Sequence, residues 1–129
     1  MRARKYTGVA LGLVVSLGLA SSVLASTIGP NNIYDRTPGW NSEIWNASSG
    51  TTRFDIRWCQ SSSSTLKFDM MHHWPFWPST GTAEKSLSCQ YNSTWREIWW
   101  SNDSATYSIE YTHNNVATIT LTYWIYYPG

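Results

Sequence analysis

The chain contains two cysteines, and they bound the segment CQSSSSTLKFDMMHHWPFWPSTGTAEKSLSC, residues 59–89. Midway between them lies the run HHWPFWP, residues 72–78, in which three large aromatic residues stand among two prolines. Two cysteines with no third thiol, in a chain that carries the export features described below, predict one disulfide, Cys59–Cys89. Closing so long a loop stabilises a fold by roughly 3 to 4 kcal/mol on the chain-entropy model. We therefore expect both cysteines to be structural.

The segment before Cys59 has the period of a half-buried strand. Between Thr51 and Cys59 two sets of side chains alternate: Phe54, Ile56 and Trp58 against Arg53, Asp55 and Arg57. Because Trp58 and Cys59 fall on opposite faces, Cys59 does not share the core side unless a bulge shifts it. We therefore expect the disulfide at the rim of the core.

The segments after Cys59 predict further strands. Leu66, Phe68 and Met70 alternate with polar neighbours, and we expect this strand to pair back onto the preceding one as a hairpin. The prolines of residues 72–78 exclude a central strand there, and short strands follow at residues 84–90 and 95–100. The clearest hairpin pattern runs from Ala105 to Tyr111, through a turn at Asn114-Asn115, and back along residues 116–127.

These patterns predict an all-β fold. About six short strands separated by polar turns favour a small two-sheet antiparallel β-sandwich, immunoglobulin-like, over residues 51–129. Residues 26–50 are rich in Asn, Ser, Gly and Pro and fit neither helical nor strand period, so we expect an irregular N-terminal arm there. The sequence resembles small exported bacterial sandwich proteins only in this general way, which implies no function.

The N-terminal residues predict export. Residues 1–25 combine Arg2, Arg4 and Lys5 with a short apolar run and a small residue at Ala25, which is the pattern of a cleaved secretory signal peptide. The apolar run is shorter than the roughly 20 residues that a membrane-spanning helix needs. We therefore expect a secreted, extracellular protein of 104 residues, which are the 129 of the chain less the first 25.

Charge excludes one class of partner. The loss of three basic residues with residues 1–25 leaves six Lys and Arg against eight Asp and Glu, a net charge of about −2. A nucleic-acid-binding domain carries a clustered basic face, and no such cluster is visible. We expect no nucleic-acid partner.

The nine tryptophans are the main candidates for a binding surface, because a core of this size accommodates only about four indoles. Both faces of residues 95–100 carry aromatic rings. A proline-stiffened aromatic run is typical of a surface that binds sugar rings, lipid headgroups or another protein. The expected ligand-binding residues are Trp74, Phe76, Trp77 and Trp100. The alternative is that the run folds back and closes one end of the sandwich.

We expect neither a metal site nor a catalytic site. His72 and His73 point to opposite sides of an extended chain, and His113 is distant in sequence, so no ligand set for zinc is complete. No nucleophile motif is present, and the domain is small for a catalytic pocket. We therefore expect no cofactor and no enzymatic activity.

These residues favour a secreted, non-catalytic module that binds a cell-surface or extracellular glycan through exposed aromatic residues. The alternative is a protein-interaction adaptor of a secreted complex or antibacterial toxin, which docks a secreted protein partner through its N-terminal arm. Membrane contact through Trp74, Phe76 and Trp77 is a weaker expectation.

Overall fold

The computed structural model describes residues 26–112 and 117–129, and these residues form eight β-strands without a helix. The strands are β1 (Ser26–Arg36), β2 (Trp45–Ala47), β3 (Gly50–Ser61), β4 (Thr65–His73), β5 (Thr80–Ser88), β6 (Arg96–Asn102), β7 (Ala105–Tyr111) and β8 (Ile119–Tyr127). The expected signal peptide and the expected turn at Asn114-Asn115 lie outside the described residues.

The strands form two antiparallel four-stranded sheets, with the orders β1-β8-β3-β6 and β2-β7-β4-β5. The pairs β1·β8, β2·β7, β3·β6 and β4·β5 are those of one long hairpin folded over itself, which is the arrangement of an eight-stranded jelly roll. The predicted all-β fold with two antiparallel sheets is thus confirmed. The immunoglobulin-like order is wrong, because that order pairs the first strand with the second and here they lie in different sheets.

The core lies between the two sheets. Phe54 of β3 and Phe68 of β4 meet with ring centroids 4.9 Å apart, and Tyr111 of β7 extends the same cluster. The apolar residues that alternate in the predicted strands before and after Cys59 are buried, apart from Trp58: Phe54, Ile56, Leu66, Phe68 and Met70. The predicted strands at residues 105–111 and 116–127 alternate in the same way and bury their odd-numbered apolar residues: Tyr107, Ile109, Tyr111, Ala117, Ile119, Leu121, Tyr123 and Ile125. Period-two alternation therefore identified the buried face of these strands.

Both predicted hairpins are wrong. β3 and β4 belong to different sheets, as do β7 and β8, so the serine-rich segment at residues 62–64 crosses between the sheets. The partner of β4 is β7 on one side and β5 on the other. Alternation fixes which face of a strand is buried, but in a two-sheet fold it leaves the hydrogen-bonded partner open.

The prediction of an irregular arm at residues 26–50 is wrong for much of that segment. β1 pairs with β8 along residues 26–36, and β2 pairs with β7. Because β1 is an edge strand with two register shifts and few buried side chains, polar residues and proline are compatible with it. The short edge strand β2 buries Trp45 and Ala47.

The disulfide joins Cys59 of β3 to Cys89, the residue after β5, with 5.1 Å between their Cα atoms. The predicted pairing is therefore confirmed, and the bond links the two sheets. A bulge between Arg57 and Gln60, seen as a register shift against β8, turns Cys59 into the core, where it is buried. Cys89 is only partly buried, so one half of the bond lies in the core and the other at its rim.

Candidate functional site

The loop between β4 and β5, residues 74–79, displays three large aromatic side chains. Trp74 is 44% exposed, Phe76 92% and Trp77 73%. The loop therefore does not fold back to close an end of the sandwich, and the alternative left open by the sequence is excluded. We call residues 74–79 the aromatic loop.

The first ring of the aromatic loop is held in place by its neighbours. The indole of Trp74 stacks on the imidazole of His72 with 3.8 Å between ring centroids and 15° between planes. The indole nitrogen of Trp74 donates a hydrogen bond to the hydroxyl of Thr80, 3.0 Å away. Since the position of the ring is set by these two contacts, little conformational entropy is lost when a ligand covers its free surface.

The base of the loop is anchored by a second histidine. In His73, Nδ1 lies 2.8 Å from the hydroxyl of Ser79, and Nε2 lies 2.8 Å from the hydroxyl of Ser108. The Ser108 hydroxyl in turn donates to the side-chain oxygen of Asn41, 3.2 Å away. This chain of contacts ties the end of the aromatic loop to β7 in the body of the domain.

Two cavities meet beside the loop. Trp74, Trp77, Pro78 and Thr80 line an apolar cleft of about 480 Å³. A second cavity, also of about 480 Å³, has a polar lining: Ser49, Gly50, His72, Thr80, Gly81, Thr82, Ser101, Asn102, Asp103 and Tyr107. Because Thr80 lines both and His72 stacks on Trp74, the apolar cleft continues into a surface of hydrogen-bonding groups.

The fourth expected binding residue, Trp100, does not belong to this site. It is 1% exposed, and its indole nitrogen donates to the backbone oxygen of Ala83 on β5, 2.7 Å away. The indole lies in the core because Trp100 shares the inner face of β6 with Ile98. The prediction that Trp100 binds a ligand is therefore wrong, and Trp95 and Trp99 carry the exposed rings of this region.

Trp95 and Trp99 belong to a second aromatic surface on the outer side of the β1-β8-β3-β6 sheet. The guanidinium of Arg53 lies 5.3 Å from the ring centre of Trp99 and 4.3 Å from that of Tyr126. The guanidinium of Arg57 lies 4.1 Å from the ring of Trp95. Since cations already cover these rings, we interpret this arginine-aromatic face as a self-stabilising surface rather than as the first candidate for a ligand.

A carboxylate lies under this face. Asp55 is only 4% exposed, and its Oδ1 lies 2.9 Å from Nε of Arg53. Burial raises the pKa of Asp55 to about 6, although the Arg53 guanidinium acts in the opposite direction. The free-energy cost of removing the carboxylate from water therefore exceeds the stabilisation that the ion pair with Arg53 provides.

The described residues contain no group of three or more His, Cys, Asp and Glu side chains that could hold a metal ion. His113 lies outside them. Within the same part of the chain no helix is long and apolar enough to span a membrane. The Cys59–Cys89 disulfide indicates an oxidising environment.

Sequence reasoning missed three exposed aromatic residues that line another cavity: Tyr34, Trp58 and Tyr91. Trp58 was expected to face the core, and it points outward because of the bulge in β3. Tyr91 lies in the polar turn after Cys89, a position that indicates exposure. No signal in the sequence marks Tyr34.

No model of a known protein family matches the chain, and no curated protein and no solved structure matches it either. Function is therefore inferred from the side chains of this chain alone.

Proposed function

We propose that the protein, secreted after removal of residues 1–25 as a signal peptide, is a non-catalytic module that binds a cell-surface or extracellular glycan through the aromatic loop. One observation carries this proposal: a preorganised apolar cleft at Trp74 and Trp77 adjoins a polar cavity, and Thr80 lines both. The ligand-binding residues of the proposal are Trp74, Phe76 and Trp77.

A sugar ring has the matching chemistry. Its C–H faces pack on flat indole surfaces, while its hydroxyl groups need hydrogen-bond donors and acceptors close by. The neighbouring cavity supplies these groups from the exposed side chains of Thr82, Ser101 and Asp103. A lipid tail would use the apolar cleft but would leave the polar cavity without a role.

The fold and the charge are compatible with this ligand. Jelly rolls occur in lectin domains, but also in viral capsids and cupins. The topology is therefore compatible with glycan binding but does not distinguish it from other functions. With a net charge of about −2 for residues 26–129 and one acidic side chain in the polar cavity, a neutral glycan is favoured over an acidic one.

The adaptor alternative has less support. It requires an N-terminal segment that is free to dock into a partner, and residues 26–36 are instead paired with β8 along their length. Removal of residues 26–49 would take away an edge strand from each sheet and uncover Ile33 and Trp45, which are buried. Such a deletion is therefore expected to unfold the domain.

The test is binding to insoluble polysaccharides, namely cellulose, chitin, xylan and mannan, measured by depletion of the mature protein from solution. The Trp74→Ala, Trp77→Ala double variant is expected to bind at least tenfold more weakly, because two stacking surfaces are lost. Trp99→Ala is the matched control, since Trp99 is 43% exposed on the arginine-aromatic face. Circular dichroism shows whether each variant is folded.

Three results would contradict the proposal: no binding to any of the polysaccharides, equal binding by the double variant, or equal weakening by Trp99→Ala. Release of dye from liposomes that depends on Trp74 and Trp77 would favour membrane contact instead.

A further inference from the structure

A bulge in β3 places Trp58 on the outer face of the sheet, whereas the two-residue period of the strand would place it on the inner face. The register of β3 against β8 shifts between Arg57 and Gln60, and Trp58 has a φ of 52°, in the left-handed region that bulky residues rarely occupy. As a result Cys59 takes the buried position, and the indole of Trp58 is 38% exposed on the outer side. Bulges are known to redirect side chains next to binding sites.

A second irregularity faces the first. The register of β1 against β8 shifts between Ile33 and Arg36, and Asp35, inside this interval, has a φ of 49°. Asp35 and Trp58 are the non-glycine residues with positive φ among those the structure describes. Both line one cavity, and backbone strain of this kind concentrates at functional sites.

This cavity, which we call the bulge cleft, has a volume of about 540 Å³, within the range of ordinary ligand pockets. It is lined by Asn32, Tyr34, Asp35, Trp58, Gln60, Tyr91, Thr120, Leu121 and Thr122. Three of these residues are exposed aromatic rings. None of the nine lines the cavities beside the aromatic loop, so the two surfaces are separate.

The walls of the bulge cleft are tied together. The backbone N–H of Trp58 donates to the carbonyl oxygen of Asn92, and that of Cys59 donates to the carbonyl oxygen of Gln90, both at 3.1 Å. These bonds hold the segment that carries Tyr91 against the bulge, and the disulfide at Cys89 fixes its start. The cleft is thus formed before any ligand arrives.

Some polar groups of the cleft are already paired and others are not. The hydroxyl of Thr122 donates to the side-chain oxygen of Asn32, and the backbone N–H of Asp35 donates to the hydroxyl of Thr120, 3.0 Å away. Within residues 26–112 and 117–129 the side chains of Tyr34, Gln60 and Tyr91 make no hydrogen bond. An amide and two phenol groups therefore remain to bind a ligand.

We infer that the bulge cleft is a second binding site, for an uncharged saccharide. The exposed rings of Tyr34 and Tyr91 offer surfaces for sugar C–H groups, and Gln60 offers both a donor and an acceptor for hydroxyls. The guanidinium of Arg57 lies 5.0 Å from the ring centre of Trp58, so this ring contributes less free surface than the two tyrosines. Asp35 supplies the one ionisable carboxylate of the lining and no Lys or Arg is part of it, and Arg57 itself donates to the carbonyl oxygen of Ser93, so an acidic sugar is disfavoured. The inference rests on the proposed function only for the class of ligand, because the site shares no residue with the aromatic loop.

Two separate binding sites on one small domain would have a functional consequence. A polysaccharide long enough to reach both would be bound with an affinity above that of either site, whereas a short oligosaccharide would occupy each site independently. Short soluble probes therefore separate the two sites, and insoluble polymers do not.

The experiment titrates the mature protein with hexasaccharides of β-1,4-glucose, β-1,4-N-acetylglucosamine, β-1,4-xylose and β-1,4-mannose, with hexagalacturonate as the acidic probe. Binding is followed by the indole N–H signal of Trp58 in NMR spectra and by calorimetry. All titrations are repeated in the Trp74→Ala, Trp77→Ala background, which removes the aromatic loop's contribution.

We expect at least one neutral hexasaccharide to shift the Trp58 signal in both backgrounds. Tyr34→Ala and Tyr91→Ala are each expected to weaken that binding at least fivefold, and Tyr91→Phe, which keeps the ring, is expected to weaken it less. Both tyrosines are exposed, so these variants are expected to fold. Trp99→Ala, at an exposed ring that lines neither the bulge cleft nor the cavities beside the aromatic loop, is expected to leave it unchanged.

The inference is overturned if no neutral hexasaccharide shifts the Trp58 signal, if binding is unaffected by Tyr34→Ala and Tyr91→Ala, or if hexagalacturonate binds more tightly. Loss of polymer binding in the loop variant, with the Trp58 response retained, supports both sites. If polymer binding depends on Trp74 and Trp77 but no hexasaccharide shifts the indole N–H signal of Trp58, the proposed function is supported. The inference that the bulge cleft is a binding site is then contradicted.

Discussion

The buried carboxylate of Asp55 predicts an unusual dependence of stability on pH. Its pKa is raised from 3.8 to about 6 in the folded protein, chiefly by burial. Because the folded state therefore binds this proton more tightly than the unfolded state, protonation of Asp55 stabilises the fold. That stabilisation is complete below about pH 4 and is lost as the pH rises through about 6.

The size of the effect follows from the two pKa values. A change from 3.8 to about 6 corresponds to roughly 3 kcal/mol of unfolding free energy. The variant Asp55→Asn has a neutral side chain of the same shape at every pH. We therefore expect it to resemble the wild type in stability at pH 4 and to be more stable by up to about 3 kcal/mol at pH 8.

The assay is urea unfolding of both proteins at pH values from 4 to 8, with the difference in unfolding free energy plotted against pH. Glu84→Gln is the control, because the side chain of Glu84 is well exposed and lies on the other sheet, and Glu84 is not among the groups that shift the pKa of Asp55. Its difference from the wild type is expected to change little over this range. A difference for Asp55→Asn that is flat, or that favours the wild type at pH 8, would refute the reasoning.

Two further predictions concern the links between the sheets. Replacing Cys59 and Cys89 together by serine removes the covalent link between the sheets. We expect urea unfolding to show an unfolding free energy lower by about 3 to 4 kcal/mol. A loss below about 1 kcal/mol would show that the disulfide is not a main stabiliser. Trp100→Phe removes the indole N–H that donates to Ala83 and part of the buried ring. We expect the unfolding free energy to fall by about 2 to 4 kcal/mol in the same assay. An unchanged unfolding free energy would contradict the structural role of this tryptophan.

The sequence predicted local features of the fold well and long-range ones poorly. The burial of Phe54, Ile56 and Leu66 followed from period-two alternation, because that period is a property of the strand itself. The predicted pairing of β3 with β4 was wrong, because a turn that crosses between two sheets has the same composition as a hairpin turn. The edge strand β1 was missed because an edge strand needs few apolar residues.

The same distinction applies to the candidate site. The prolines around Trp74 and Trp77 exclude a central strand, but they left open whether the rings face solvent or close one end of the sandwich, because both arrangements suit a loop. Trp100 was misplaced because β6 has aromatic residues on both faces, and the choice of inner face depends on the contact with Ala83 on another strand. Trp58 was misplaced because a single-residue bulge reverses the face of a side chain.

The most direct test of the central claim is a titration in which the indole N–H signals of all nine tryptophans are followed by NMR while a soluble fragment of a bound polysaccharide is added. Binding at the aromatic loop predicts that the signals of Trp74 and Trp77 shift and reach saturation together, while that of Trp100, which is buried, stays in place. A ligand that saturates the protein and leaves the Trp74 and Trp77 signals unchanged would contradict the claim that the aromatic loop is the glycan-binding surface.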